Sequence, residues 1–93
     1  MKVRDRMRRD DIIRKLIDIQ FERNETELMP GRFRAKGDTI DIIPGYFNNI
    51  IRIELFGGDE IDRISEIDKT SGERLEAMDY FFVYPARHFV APR

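Results

Sequence analysis

The sequence predicts an α+β domain, an antiparallel β-sheet of short strands and hairpins covered on one face by an N-terminal amphipathic helix. Three observations carry that prediction. Apolar residues return at three- and four-residue spacing near the start, the spacing falls to two from Asn24 onward, and Gly or Pro pairs interrupt the period-two stretches at short intervals.

Each element follows in order. Residues 10–23 read as the helix, with Ile12, Ile13, Leu16, Ile17 and Ile19 on one face and Arg14, Lys15, Asp18 and Glu22 opposite. Asp10 is the expected N-cap, and Asp11 complements the positive end of the helix dipole. A first strand is expected at 27–29, stopped by Pro30-Gly31. Arg32–Lys36 and Thr39–Ile43 alternate polar with apolar around Gly37-Asp38, which makes them a hairpin closed by a two-residue turn. After a loop at 46–49, Ile50–Phe56 sets Ile51, Ile53 and Leu55 against Arg52 and Glu54. Gly57-Gly58-Asp59 reverses the chain into a strand at 60–68, and 69–72 is a second turn. The segment 73–79 reads as helical turn or loop, and 80–84 as a last strand ending at Pro85.

Composition bounds the chemistry. The 93 residues are one domain's worth of chain, 41% hydrophobic and 38% charged, enough for a modest core with a highly charged surface. Seventeen Lys and Arg against eighteen Asp and Glu leave a net charge of -1, without the overall basicity of a typical nucleic-acid binder. The charge is uneven: residues 1–36 hold eleven basic and seven acidic side chains, residues 37–93 six and eleven. The absence of Cys excludes disulfides, a thiol nucleophile and Cys-ligated metal sites, and the single His leaves little for an imidazole site. No apolar run approaches the about 20 residues that span a bilayer, and the start lacks the apolar stretch of a signal peptide, so a cytoplasmic protein is expected.

Catalytic constellations are not assembled. Ser65 and Ser71 have only His88 for a base, and both are expected in structural positions, as is His88 after the last strand. The acidic series Asp59, Glu60, Asp62, Glu66, Asp68 does not match the ligand spacing of a calcium loop. Neither a Walker-type nor a dinucleotide-type glycine motif occurs, and Gly57-Gly58 reads as a hairpin turn. No catalytic, metal or cofactor residues are assigned.

The basic positions say more. Period two places Arg32, Arg34 and Lys36 opposite Phe33 and Ala35, and Arg52 and Glu54 opposite Ile51 and Ile53. With the helix on the apolar side, all five emerge on the open face, with Arg23 at the helix exit beside them. Such a patch is a solvated face, a protein-docking face, for which Arg forks onto carboxylates, or a nucleic-acid face. The last is the weakest, because Glu54 and Asp41 repel phosphates and no aromatic ladder accompanies the arginines.

At these residues the chain resembles the second domain of the UvrB family. The resemblance runs through Arg9-Asp10, Leu16-Ile17-Asp18-Ile19-Gln20-Phe21-Glu22-Arg23-Asn24, Gly31-x-Phe33-Arg34-x-Lys36-Gly37-Asp38 and Ile42-Ile43-Pro44. It continues in Ile51-Arg52-Ile53-Glu54-Leu55-Phe56-Gly57, Asp59-Glu60-Ile61-x-Arg63-Ile64, Asp68-x-Thr70-Ser71-Gly72-Glu73 and Tyr84-Pro85-Ala86-x-His88-Phe89-Val90. The departures are an apparent extra glycine at Gly57-Gly58 and Lys36 where relatives often have Arg. The resemblance implies a non-catalytic domain, residues 1–93, excised from a helicase-like, ATP-dependent excinuclease subunit of nucleotide excision repair. It implies docking onto UvrA through Arg23, Arg34, Lys36, Arg52 and Glu54, with contacts to the parent's other domains a further possibility. Direct DNA binding, a membrane and a cofactor in this domain are not implied; ATP belongs to the parent. The nearest rival is the equivalent UvrA-recruiting domain of the transcription-repair coupling factor, disfavoured by Gln20-Phe21-Glu22-Arg23-Asn24 and Gly37-Asp38. A related fold also serves as an accessory docking domain of peptidoglycan synthases.

Overall fold

A computed structural model describes residues 1–45 and 47–85; of the loop expected at 46–49, Tyr46 lies outside the described residues, as do His88 and the rest of 86–93. The elements are α1 (Arg9–Asp18), β1 (Glu22–Arg23), β2 (Arg32–Lys36), β3 (Thr39–Ile43), β4 (Ile50–Phe56), β5 (Glu60–Ile67) and β6 (Arg74–Met78). They form one six-stranded sheet in the order β1-β2-β3-β4-β5-β6, antiparallel except for the β1/β2 pair. The α+β architecture, the helix on one face and the central hairpins are as the sequence predicts.

The helix begins and ends earlier than its periodicity suggests. Arg8, not Asp10, is the N-cap, because Asp11 reaches back to accept its backbone N–H at 3.4 Å. At the other end Gln20 adopts φ 76°, its N–H donating to the Ile17 carbonyl and that of Phe21 to the Leu16 carbonyl, both at 2.9 Å. These two bonds are a Schellman motif, which also brings Phe21 against Leu16 in the core. Ile19 and Phe21 thus continue the apolar spacing while the chain has already left the helix. Glu22 and Arg23 then run beside β2, with Glu22 N–H donating to Gly31 O and Asn24 N–H to Phe33 O.

The strand expected at 27–29 does not form. Asn24 Oδ1 instead accepts the N–H groups of Thr26 and Glu27 at 3.0 and 2.8 Å, an Asx turn that curls the segment away from strand geometry. The β2/β3 hairpin closes through Gly37 at φ 59°, the left-handed first position that a two-residue turn requires. Between β4 and β5 the register slips after Glu54, so that Glu54 faces Arg63 but Leu55 faces Ile61.

The C-terminal expectation is corrected at two places. β6 occupies the segment read as helical turn or loop, and residues 80–84 are not a sheet strand. All of β6 but Met78 is exposed, so the edge strand carries no alternation to read. Exposure does alternate along 80–84, but the segment's backbone partner is the N-terminus. Lys2 bridges to Tyr80, Val3 N–H donates to Asp79 O, and Phe81 N–H donates to Met1 O.

The main core lies between α1 and the sheet, and unites Ile12, Leu16 and Phe21 with Phe33, Ile40, Ile42, Ile51, Ile53, Ile61 and Ile64. Met1, Val3 and Met7 close its rim. The opposite face is not uniformly open. One end of it buries Ile43, Ile50 and Ile67 under Leu28.

Candidate functional site

The other end of that face is polar, for reasons of register. The two-residue turn pairs Lys36 with Thr39 and therefore Arg34 with Asp41; Asp41 in turn faces Arg52, and Arg52 faces Ser65. Side chains in register share a face. One row across the sheet thus reads Arg34, Asp41, Arg52, Ser65, and the next Lys36, Thr39, Glu54, Arg63.

Asp41 is the centre of the first row. Its side chain is only 5% exposed, a position at which an unpaired carboxylate would be costly. Arg52 forks onto both oxygens, Nε to Oδ1 at 2.8 Å and Nη2 to Oδ2 at 3.2 Å. From the other side Arg34 donates Nε and Nη2 to Oδ2, at 3.2 and 3.1 Å. The hydrogen bond to Asp41 raises the Arg52 pKa above its ordinary value. Both guanidiniums keep an exposed side, 38% of the Arg34 side chain and 29% of that of Arg52.

Around the pair lies a shallow hollow lined by Glu25, Arg34, Lys36, Thr39, Asp41, Arg52 and Glu54. Lys36 is exposed and has no ion partner among the described residues. Glu54 accepts a hydrogen bond from Arg74 Nη2 at 3.4 Å, an ion pair that crosses β5. Four of the five residues assigned from the resemblance, Arg34, Lys36, Arg52 and Glu54, therefore line one hollow.

Arg23 does not. In the parallel β1/β2 pair it matches Phe33, which faces α1, and it lines a depression with Asp10, Ile13, Arg14 and Ile17 of the helix. Its link to the hollow is Glu25, whose Oε2 accepts Arg23 Nε at 2.7 Å and the backbone N–H of Ala35 at 3.3 Å. The bond from Arg23 holds the Glu25 carboxyl below its usual pKa. Arg32, also expected on this face, is tied to Glu22 at 3.0 Å and Glu27 at 3.6 Å beyond the hollow.

Sequence reasoning missed Asp41 as a member of the site, having weighed it only as a phosphate repellent. The signal was present, because the Gly37-Asp38 turn fixes the register that sets Asp41 between the two arginines. Glu25 and Arg74 carried no such signal, one lying in an Asx-turn loop and the other on a strand without alternation.

What the arrangement offers chemically is oriented hydrogen-bond donation. Arg34 and Arg52 each spend two of five N–H donors on Asp41, leaving the others for acceptors from outside. Ser65 is fully buried in the sheet and Ser71 Oγ accepts the Glu73 N–H at 3.2 Å, so neither hydroxyl is placed as a nucleophile. Among the described residues no cluster of His, Asp and Glu is arranged to hold a metal ion, and no helix is long and apolar enough to cross a membrane.

A protein-family model described as the UvrB interaction domain matches residues 1–89. The UvrABC system protein B of Methanosarcina mazei is 74% identical over 92 residues, covering 99% of this chain and 14% of its own length. That of Methanococcus maripaludis is 58% identical over the same coverage, and that of Synechocystis sp. 51% over 81 residues, 87% of this chain and 12% of its own. The chain thus spans about one seventh of the length of the curated relatives it matches.

Proposed function

From the premise that the chain belongs to the UvrB interaction domain family, we propose that it is a non-catalytic docking module that binds UvrA during nucleotide excision repair. It would act as one domain of a longer excinuclease subunit whose ATP chemistry resides outside these residues. The observation that carries the reading is the hollow at the Arg34–Asp41–Arg52 bridge, where two oriented guanidiniums, Lys36 and Glu54 converge on one open surface.

Cations with spare donors select carboxylates, so the complementary surface on UvrA is acidic, with a basic group to meet Glu54. Exposed charges of this kind raise the association rate and make it sensitive to salt. Arg23, on the other side of the β1 edge, would contact a partner only if that partner wraps the edge. Phosphates are disfavoured as the ligand, because Glu25 and Glu54 line the same hollow.

The test is titration of the chain with purified UvrA by calorimetry at two salt concentrations, with Arg34→Glu and Arg52→Glu beside the wild type. Binding that weakens with salt and falls in both folded variants is expected. Unchanged affinity in both variants would sink the assigned face.

A further inference from the structure

We infer that Asp41 is the positioning residue of this face: its buried carboxylate holds Arg34 and Arg52 together as one preorganised double cation, whose unused donors receive an acidic side chain of the partner. The inference rests on the UvrA-docking reading and concerns how the same surface is presented.

The geometry gives the reason. Arg34 and Arg52 lie on β2 and β4, two strand spacings apart, roughly 10 Å between backbones. Without an anion between them, two like charges on flexible stems repel and sample many rotamers. Asp41 stands on the intervening strand and accepts four hydrogen bonds from the pair, three of them on Oδ2. A side chain ordered before contact does not have to be ordered on binding, which strengthens association without any added contact.

A purely structural role is the competing explanation, and the same face argues against it. At its other end the centre of the sheet, β3 to β5, is covered by Ile43, Ile50 and Ile67 packed under Leu28, with Arg32 and Arg74 only at the flanking strands. Apolar replacement of buried ion pairs is commonly neutral or stabilising. The fold therefore has an uncharged way to cover these strands and uses it a few residues away; the charged row is retained for what it shows to solvent.

The test uses Asp41→Asn and Asp41→Leu, the second chosen because an apolar side chain keeps the fold while removing the anchor. Both are titrated with UvrA and compared with wild type by thermal melting. The side-chain Nε–H signals of Arg34 and Arg52 are followed by NMR. Expected are retained folding, binding weaker by about tenfold or more, and Arg34 and Arg52 Nε–H signals that exchange slowly in the wild type and rapidly in both variants. Coupling between Arg34→Ala and Arg52→Ala should be present in the wild-type background and vanish in the Asp41→Leu background. Wild-type affinity in a folded Asp41→Leu chain would overturn the inference, and so would rapidly exchanging arginine signals in the wild type itself. If Arg34→Glu and Arg52→Glu weaken binding while Asp41→Leu does not, the docking face stands and only the positioning role falls.

Discussion

Ser65 ends the row that begins at Arg34, and its hydroxyl is fully buried without a hydrogen-bond partner among the described residues. A buried donor left unpaired costs about 1 to 3 kcal/mol. Ser65→Ala should therefore stabilise the chain, by about 1 kcal/mol after the lost packing is counted, as a rise in the denaturant midpoint; a lower midpoint would mean the hydroxyl is satisfied. At this scale, legibility follows register. Arg34, Lys36, Arg52 and Glu54 could be placed from alternation alone, since an antiparallel hairpin with a two-residue turn leaves no freedom in which face each residue takes. Arg23 could not, because which way it points depends on a two-residue parallel strand that carries no pattern. Nor could the pairing of Glu54 with Arg74, which spans a strand and 20 positions of sequence.

Helix α1 shows the same division between spacing and geometry. Its apolar period is shared by Ile12 and Leu16, which reach the core, and by Ile17, which is 52% exposed. The period continues into Phe21, although the helix has ended at Asp18. What stops it is the left-handed Gln20, a conformation that costs a non-glycine residue about 1 kcal/mol or more. Gln20→Gly is accordingly expected to raise stability by about 1 kcal/mol, read as a higher melting temperature with an unchanged helix signal in circular dichroism; an unchanged or lower melting temperature would count against the strain. Elements with a buried face and a glycine turn, β2 to β5, were legible. β6 was not, because an edge strand exposed on both faces owes its position to the backbone of β5 and not to its own side chains.

Across the whole molecule the two segments outside the helix-and-sheet frame hold each other. Met1 to Val3 and Asp79 to Phe81 exchange backbone hydrogen bonds at 2.8 Å, while Met1 and Val3 pack on the core rim. Deleting residues 1–3 removes those bonds and that packing, and should lower stability by roughly 2 to 4 kcal/mol in a denaturant titration; an unaltered midpoint would show the strap to be dispensable. This long-range pairing was invisible in a sequence whose first eight residues read as charge with scattered Met and Val. With residues 1 and 81 held side by side, the chain between them is a loop closed at its base by backbone hydrogen bonds, a clasp whose closure entropy is met only once the intervening sheet has brought its ends together.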